Sequence, residues 1–441
     1  MVFGLGYKMS LGIGVALCLG AVIGDTLFMF TGVPIAQAGI VSVIAYIAVG
    51  IAVAIISTQL GELSSIMPHD KGGAYSYVSR SFGSELGFIT GMLLFVGYSA
   101  MISAAAYGFG GYFLFLSGIS NSDVQLLASI AIILLVSAVN MRGIKNTVEL
   151  AKVLLAIALL TVAAFVIFAV FHGYSSGNIN YLLVRNAAQD ARGSLVQAVT
   201  AIVFAYTGFQ VIGTLADNIK GEGRAVVKVM VISLLIGIVA YVAVTIGLAL
   251  LIPPSLATIN ANPLIYALNY ANAPYLLTFF VGIGSLLAIA ASMIAITFMA
   301  SRLIHQIGKD RLLPKAAEAY DDEKGVATTG VAVTGMLSIA LLFSGGLYSM
   351  LSISNFGIIF SWIMSCFALI NFHRRKISGG FTAPYYPYLT VISLVASIIF
   401  MFGLPSKSLA LGVIVILMLL VVYYTVIEMR YKKVPRERLF D

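Results

Sequence analysis

Charged residues make up only 10% of the 441-residue chain, where an ordinary soluble domain carries roughly 25%. So little charge, beside 60% hydrophobic residues, excludes a string of soluble domains and excludes intrinsic disorder. Cysteine is nearly absent. Cys18 and Cys366 both lie inside apolar stretches, so no disulfide framework is available and both read as packing residues. Four histidines, His69, His172, His305 and His373, fall near the ends of apolar segments without metal-ligand spacing, so no metal site or cofactor is assigned. H-E-x-x-H and G-x-S-x-G are missing, which leaves metalloprotease and serine-hydrolase chemistry without support. An intramembrane aspartyl protease would need G-x-G-D, but Val22 takes the first glycine's place, and Tyr320-Asp321 falls in a charged loop. No channel filter of the T-V-G-Y-G kind is present. No catalytic residue is therefore named, and the chain does not read as an enzyme.

What is present is apolar length. The mean hydropathy is +1.03, and stretches of about 20 apolar residues can cross a bilayer as helices. Twelve spans are predicted: 10–31, 38–66, 85–117, 123–141, 147–171, 195–217, 226–252, 274–305, 328–345, 349–372, 386–404 and 408–429. The first reads as a span and not as a cleavable leader, since Asp25 breaks it and no small-residue cleavage site follows. An even count puts both termini on one side. With cytoplasmic termini, 21 Lys and Arg fall inside and three, Arg185, Arg192 and Lys407, fall outside. That asymmetry fits the positive-inside rule. It makes the +8 net charge a topology signal and not a nucleic-acid footprint. The expected location is the cell membrane, multi-pass, with the bilayer as the chain's surroundings; oligomeric state is not readable.

Two spans look interrupted. In span one, Gly20 to Phe28 carries Gly24 and the intramembrane charge Asp25. In span six, Phe204 to Gln210 carries Gly208 beside Tyr206 and Thr207. Backbone that unwinds at membrane depth must line a cavity or be buried in protein. Five spans starting inside and five starting outside are inverted relative to each other, and spans one and six are their corresponding first helices. Interruptions at matching positions of inverted repeats point to a transporter's substrate site, because half-helix ends offer free N–H and C=O groups.

The chain resembles the amino acid–polyamine–organocation permeases. Span one carries Ile23-Gly24-Asp25-Thr26-Leu27-Phe28 against the family's I-G-x-x-(I/L)-F. The end of span two carries Glu62, Leu63, Pro68, Gly72, Gly73, Tyr75 and Tyr77, with one residue more than usual between Pro68 and Gly72, then Phe82 and Gly83. Span six carries the F-x-Y-x-G-F segment from Phe204, then Thr214 to Asp217; span eight ends in Ser301-Arg302-Leu303, Lys309-Asp310, Leu313 and Pro314. The resemblance implies an all-α integral membrane protein of twelve transmembrane helices with the leucine-transporter-type 5+5 inverted repeat. The first repeat would be 10–172, the second 194–372, and 386–429 two additional peripheral helices. It implies alternating-access transport of a small-molecule amino acid or related amine. Substrate would be held by Ile23, Gly24, Asp25, Thr26, Phe204, Ala205, Tyr206 and Gly208, with Phe95 of span three as a wall. Phe204 would act as a gate, and Glu62 would sit at the inner mouth in a structural or gating role.

Four departures matter. The family's G-S-G or G-T-G of span one reads Gly24-Asp25-Thr26 here, so its second glycine is gone and a carboxylate stands beside the backbone that would receive a substrate carboxylate. Either Asp25 caps the second half-helix, or it binds a cation: a substrate amine, a coupled proton or a metal ion. The lysine of proton-coupled relatives falls here on Ala158, while Lys152 reads as a snorkelling residue paired with Glu149. Span eight offers Ser285, Ser292 and Thr297 with Ala290 and Ala291 between, a poor match to the paired hydroxyls of sodium-coupled relatives. Gln210 stands where some exchangers carry an acid. Two alternatives stay open: a polyamine or cationic amino acid exchanger using Asp25, and a non-transporting receptor or scaffold.

Overall fold

The computed structural model describes residues 9–68, 70–176, 195–257 and 262–427. Lys8, His69, Arg185, Arg192 and the basic tail from Arg430 lie outside the described residues, as do the ends of the expected repeat at 194 and of span twelve at 428–429. The chain runs α1 (Leu11–Ile23), α2 (Thr26–Met29), α3 (Gly32–Ala38), α4 (Val41–Ile66), α5 (Ala74–Phe82), α6 (Ser84–Ser117), α7 (Ser122–Met141) and α8 (Ile144–Ser175). It continues with α9 (Leu195–Tyr206), a 3₁₀ segment (Thr207–Asn218), α10 (Glu222–Leu251), α11 (Pro263–Tyr270) and α12 (Tyr275–Lys309). The last helices are α13 (Thr328–Leu341), α14 (Leu347–Arg374), α15 (Tyr388–Phe402) and α16 (Ser406–Val422).

A helix stands at each of the twelve expected positions, but they are unequal. Among the described residues, nine segments are long and apolar enough to cross a membrane; 198–214, 328–341 and 388–402 are shorter. The helices of spans nine and eleven, α13 and α15, have 14 and 15 residues. That is about 21–23 Å of helix, less than a hydrocarbon core of about 30 Å. Glycine explains one early stop: Gly345 and Gly346 have φ of +104° and +95°, a backbone that ordinary side chains rarely adopt.

Burial grades the helices. α6 is the most enclosed of the long helices and α16 the most exposed. Large apolar side chains on the rim, such as Leu127, Leu160, Ile167 and Val239, face outward, as a lipid solvent allows. Inside, glycine lets backbones touch, as is usual where lipid gives helices no hydrophobic reason to associate. A Cβ on Gly357 of α14 would lie 2.2 Å from the Leu93 carbonyl oxygen of α6.

Contacts sort the loops onto two faces. The basic face gathers Met9 with Asn218, Tyr75 with Asp310, Ser81 with Asn371, and Ile144 with Lys324. The opposite face gathers Thr200 with Gly403 and Gly32 with Ala257. The α15–α16 turn reaches the interrupted span six, where the Thr200 hydroxyl donates to the Gly403 carbonyl.

Candidate functional site

The interruption of span one is small. Gly24 (φ −64°, ψ −53°) and Asp25 (φ −94°, ψ −50°) separate α1 from α2 while keeping near-helical angles. It is a two-residue defect and not the longer unwound stretch the sequence suggested. Crowding accounts for this: a Cβ on Gly24 would meet the Ala288 carbonyl oxygen at 2.5 Å and Ser292 Cβ at 2.7 Å. The α12 helix therefore leaves no room for the chain to swing out. Span six breaks more fully. After Tyr206 (φ −102°, ψ 0°) the chain winds as a 3₁₀ helix for 12 residues, where runs beyond three or four are uncommon. A long-range clamp stabilises it. The buried guanidinium of Arg302 donates to the Thr214 carbonyl (2.7 Å) and to Asn218 Oδ1 (2.9 Å).

The two interruptions touch. A Cβ on Gly208 would lie 2.2 Å from the Ala21 carbonyl oxygen, so only glycine allows this approach. Tyr241 of α10 joins them: its hydroxyl is 2.7 Å from the Val22 carbonyl and 3.0 Å from the Ala205 carbonyl. Tyr241 stacks on Tyr46 of α4 (5.2 Å, 12°) and meets Tyr206 edge-on (5.2 Å, 69°), and Tyr206 donates to the Tyr46 carbonyl (3.0 Å). Tyr112 of α6 donates to the Phe28 carbonyl (2.6 Å).

Asp25 is fully buried. Its Oδ1 accepts from the Thr26 N–H (2.8 Å) and the Thr26 hydroxyl (3.1 Å). Its Oδ2 has no partner among the described residues. One oxygen therefore caps α2 and the other is left as an acceptor. A buried acceptor without a donor costs about 1–3 kcal/mol, more when charged.

A cavity lies on each side of the interruptions. On the opposite face, one of about 250 Å³ has Phe30 and Phe204 among its walls, with Gln37, Thr200, Asn355 and Leu404. Phe30 and Phe204 meet edge-to-face at 5.5 Å. Gln37 Oε1 and Asn355 Oδ1 are buried without donors among the described residues. Towards the basic face, a space of about 20 Å³ between Tyr77, Tyr98, Gln210 and Thr214 holds roughly one water. Tyr98 donates to Gln210 Oε1 (3.0 Å). Beyond it, Tyr75 donates to Asp310 Oδ2 (2.7 Å) and Ser76 donates to Asp70.

Of the expected site residues, Gly208 packs on the Ala21 backbone, the Ala205 carbonyl shares the Tyr241 hydroxyl with Val22, Gly24 packs on α12, Asp25 is bonded to Thr26, and Phe204 borders the larger cavity. Phe95 is buried on α6 but lines neither cavity. Glu62 lines neither cavity. It is bonded sideways to His373 Nε2 (2.7 Å) and accepts the Ala383 N–H (2.8 Å), tying α4 to the α14–α15 connection. His373 also stacks on Tyr386 at 3.7 Å. Lys152 pairs with Glu149 at 2.6 Å as expected. No cluster able to hold a metal is found among the described residues. Sequence reasoning missed Tyr241, Tyr46, Phe30 and Asn355. They are ordinary span residues whose roles depend on which helices become neighbours.

Apolar spans around two meeting, interrupted helices define a multi-pass membrane transport protein. The chain belongs to the amino acid permease family, whose profile matches residues 14–439. It is 24% identical over 412 residues to the methylthioribose transporter of Bacillus subtilis (strain 168), covering 88% of this chain and 87% of that one. It is 26% identical over 407 residues to cationic amino acid transporter 7, chloroplastic, of Arabidopsis thaliana, covering 88% and 68%. It is also 23% identical over 440 residues to the branched-chain amino acid permease BcaP of Lactococcus lactis subsp. cremoris (strain MG1363), covering 95% and 94%.

Proposed function

We propose that the chain carries an amino acid or related amine by alternating access, with substrate held where spans one and six are interrupted. The observation that carries this reading is the pairing itself. Two buried helix defects, in the first and sixth of the expected spans, lie between a cavity of about 250 Å³ and a nearly closed space of about 20 Å³. Both termini are cytoplasmic in this reading, supported by the 21-to-3 distribution of Lys and Arg. The larger cavity is then extracellular, Phe204 and Phe30 form its gate, and Tyr75–Asp310 belongs to the closed inner side.

The three relatives bear different substrate names, so family membership leaves the choice open. Asp25 narrows it. A carboxylate oxygen without a donor attracts an ammonium or a proton and repels a substrate carboxylate. This favours cationic amino acids and polyamines, with small neutral amino acids next. Counterflow in proteoliposomes tests the reading. Vesicles loaded with unlabelled amino acids and polyamines should take up labelled arginine or putrescine faster than labelled alanine. Faster alanine uptake would reduce Asp25 to a cap or proton site. No uptake of any of the three would overturn the reading in favour of another solute or a non-transporting role.

A further inference from the structure

An interrupted helix exposes carbonyls, and here they are already taken. Val22 lies four residues before Thr26, whose N–H is instead held by Asp25 Oδ1. The Val22 carbonyl thus turns to the Tyr241 hydroxyl at 2.7 Å. The Ala205 carbonyl, at the span-six break, faces the same hydroxyl at 3.0 Å. The Phe204 carbonyl is capped by Thr207 at 2.9 Å. One hydroxyl proton is shared between two acceptors, so Tyr241 does there what an ammonium could do better with three N–H donors. Tyr241 is fully buried and held by Tyr46 and Tyr206 on either side. It also lies within electrostatic reach of Asp25.

We infer that the Tyr241 hydroxyl is a placeholder for the substrate's amine: it satisfies the Val22 and Ala205 carbonyls in the empty transporter and is displaced when substrate binds. This rests on the proposed placement of substrate at the interruptions. Two consequences follow from the competition. Binding must break the Tyr241 bond, which weakens apparent affinity. Release is helped, because Tyr241 re-satisfies the carbonyls as the amine leaves.

Tyr241→Phe removes only the hydroxyl. Counterflow is measured with whichever of labelled arginine, putrescine or alanine the unaltered protein exchanges, per folded transporter. The variant should show a KM lowered about fivefold, the weight of one net hydrogen bond, together with a lowered maximal rate. A raised KM would make Tyr241 an ordinary substrate contact and overturn the inference. Unchanged KM and rate would make it structural packing and overturn it equally. If Tyr241→Phe does not fold, the unaltered protein decides through competition by the N-trimethylated form of the same probe. That analogue keeps the charge but has no N–H to exchange for the phenol's, so it should compete at least tenfold more weakly; equal competition overturns the inference. If the unaltered protein exchanges none of the three labels, the proposed function fails and the placeholder role fails with it.

Discussion

Asp25 caps α2 with one oxygen and is proposed to meet the substrate's amine with the other, and a residue-scale experiment can separate the two. Asparagine keeps an oxygen for the Thr26 N–H at the start of α2 and removes the charge. Asp25→Asn should therefore retain folding but lower the preference for arginine over alanine about tenfold, the size of a modest charge interaction in a buried site. Serine restores the hydroxyl of the family pattern that span one resembles, and Asp25→Ser should shift the profile the same way; competition uptake checks both. An unchanged profile would remove Asp25 from recognition. Glu62 makes the contrast. Its carboxylate is as buried as that of Asp25, yet both oxygens are spoken for by His373 and the Ala383 N–H. Glu62→Gln weakens the bond to His373 and should lower stability by about 1–3 kcal/mol, read as a reduced melting temperature in detergent.

In the proposed function the unit at the next scale is the pair of interrupted helices, and Gly208 sets their distance. Gly208→Ala places a methyl against the Ala21 backbone, which cannot move aside as a flexible side chain would. Overpacking of this kind costs about 1–3 kcal/mol. Transport should fall at least tenfold with a smaller loss of folded protein; uptake normalised to monodisperse protein measures the difference. Both defects were legible in the sequence, because a glycine beside a charge or a polar run weakens a helix exactly where an apolar stretch should keep it continuous. Their shapes were not. Span one opens less than expected since α12 crowds Gly24, and span six becomes a long 3₁₀ helix since Arg302 holds it from 84 and 88 residues away. Local propensity carries no information about such partners. The same limit hid Tyr241, an aromatic residue in an apolar span until α10 is placed against both breaks. The partners of Glu62 were hidden for a related reason: the α14–α15 connection that bonds it at the end of α4 lies more than 300 residues on.

On the scale of the whole molecule, the proposed alternating access would require the basic face to open and the contact between Tyr75 and Asp310 to break. Asp310 lies just past the end of α12 and is partly buried. Burial raises its pKa above the ordinary carboxylate value, and nearby Asp70 adds to the rise, while the Tyr75 hydroxyl, Arg80 and Gln306 pull it down. The net direction is upward, so the closed face holds a proton on Asp310 more readily than an open, solvated one. Closure is then favoured by a contribution fully present below the ordinary aspartate pKa and lost as pH rises through the raised one. Opening of the basic face should accordingly become easier from about pH 4 towards neutrality. Gly213 offers a reporter, since an added Cβ there would meet nothing nearer than Tyr77 Oη at 3.7 Å and Met230 Cε at 3.8 Å. The native Cys18 and Cys366 are buried and give little background. Maleimide labelling of Gly213→Cys should quicken with rising pH over that range. Asp310→Asn keeps an acceptor for Tyr75 but cannot titrate, and should flatten the dependence. A profile that stays the same with asparagine in place would assign the pH response to another group, and Tyr75–Asp310 would then be a static tie and not part of the gate.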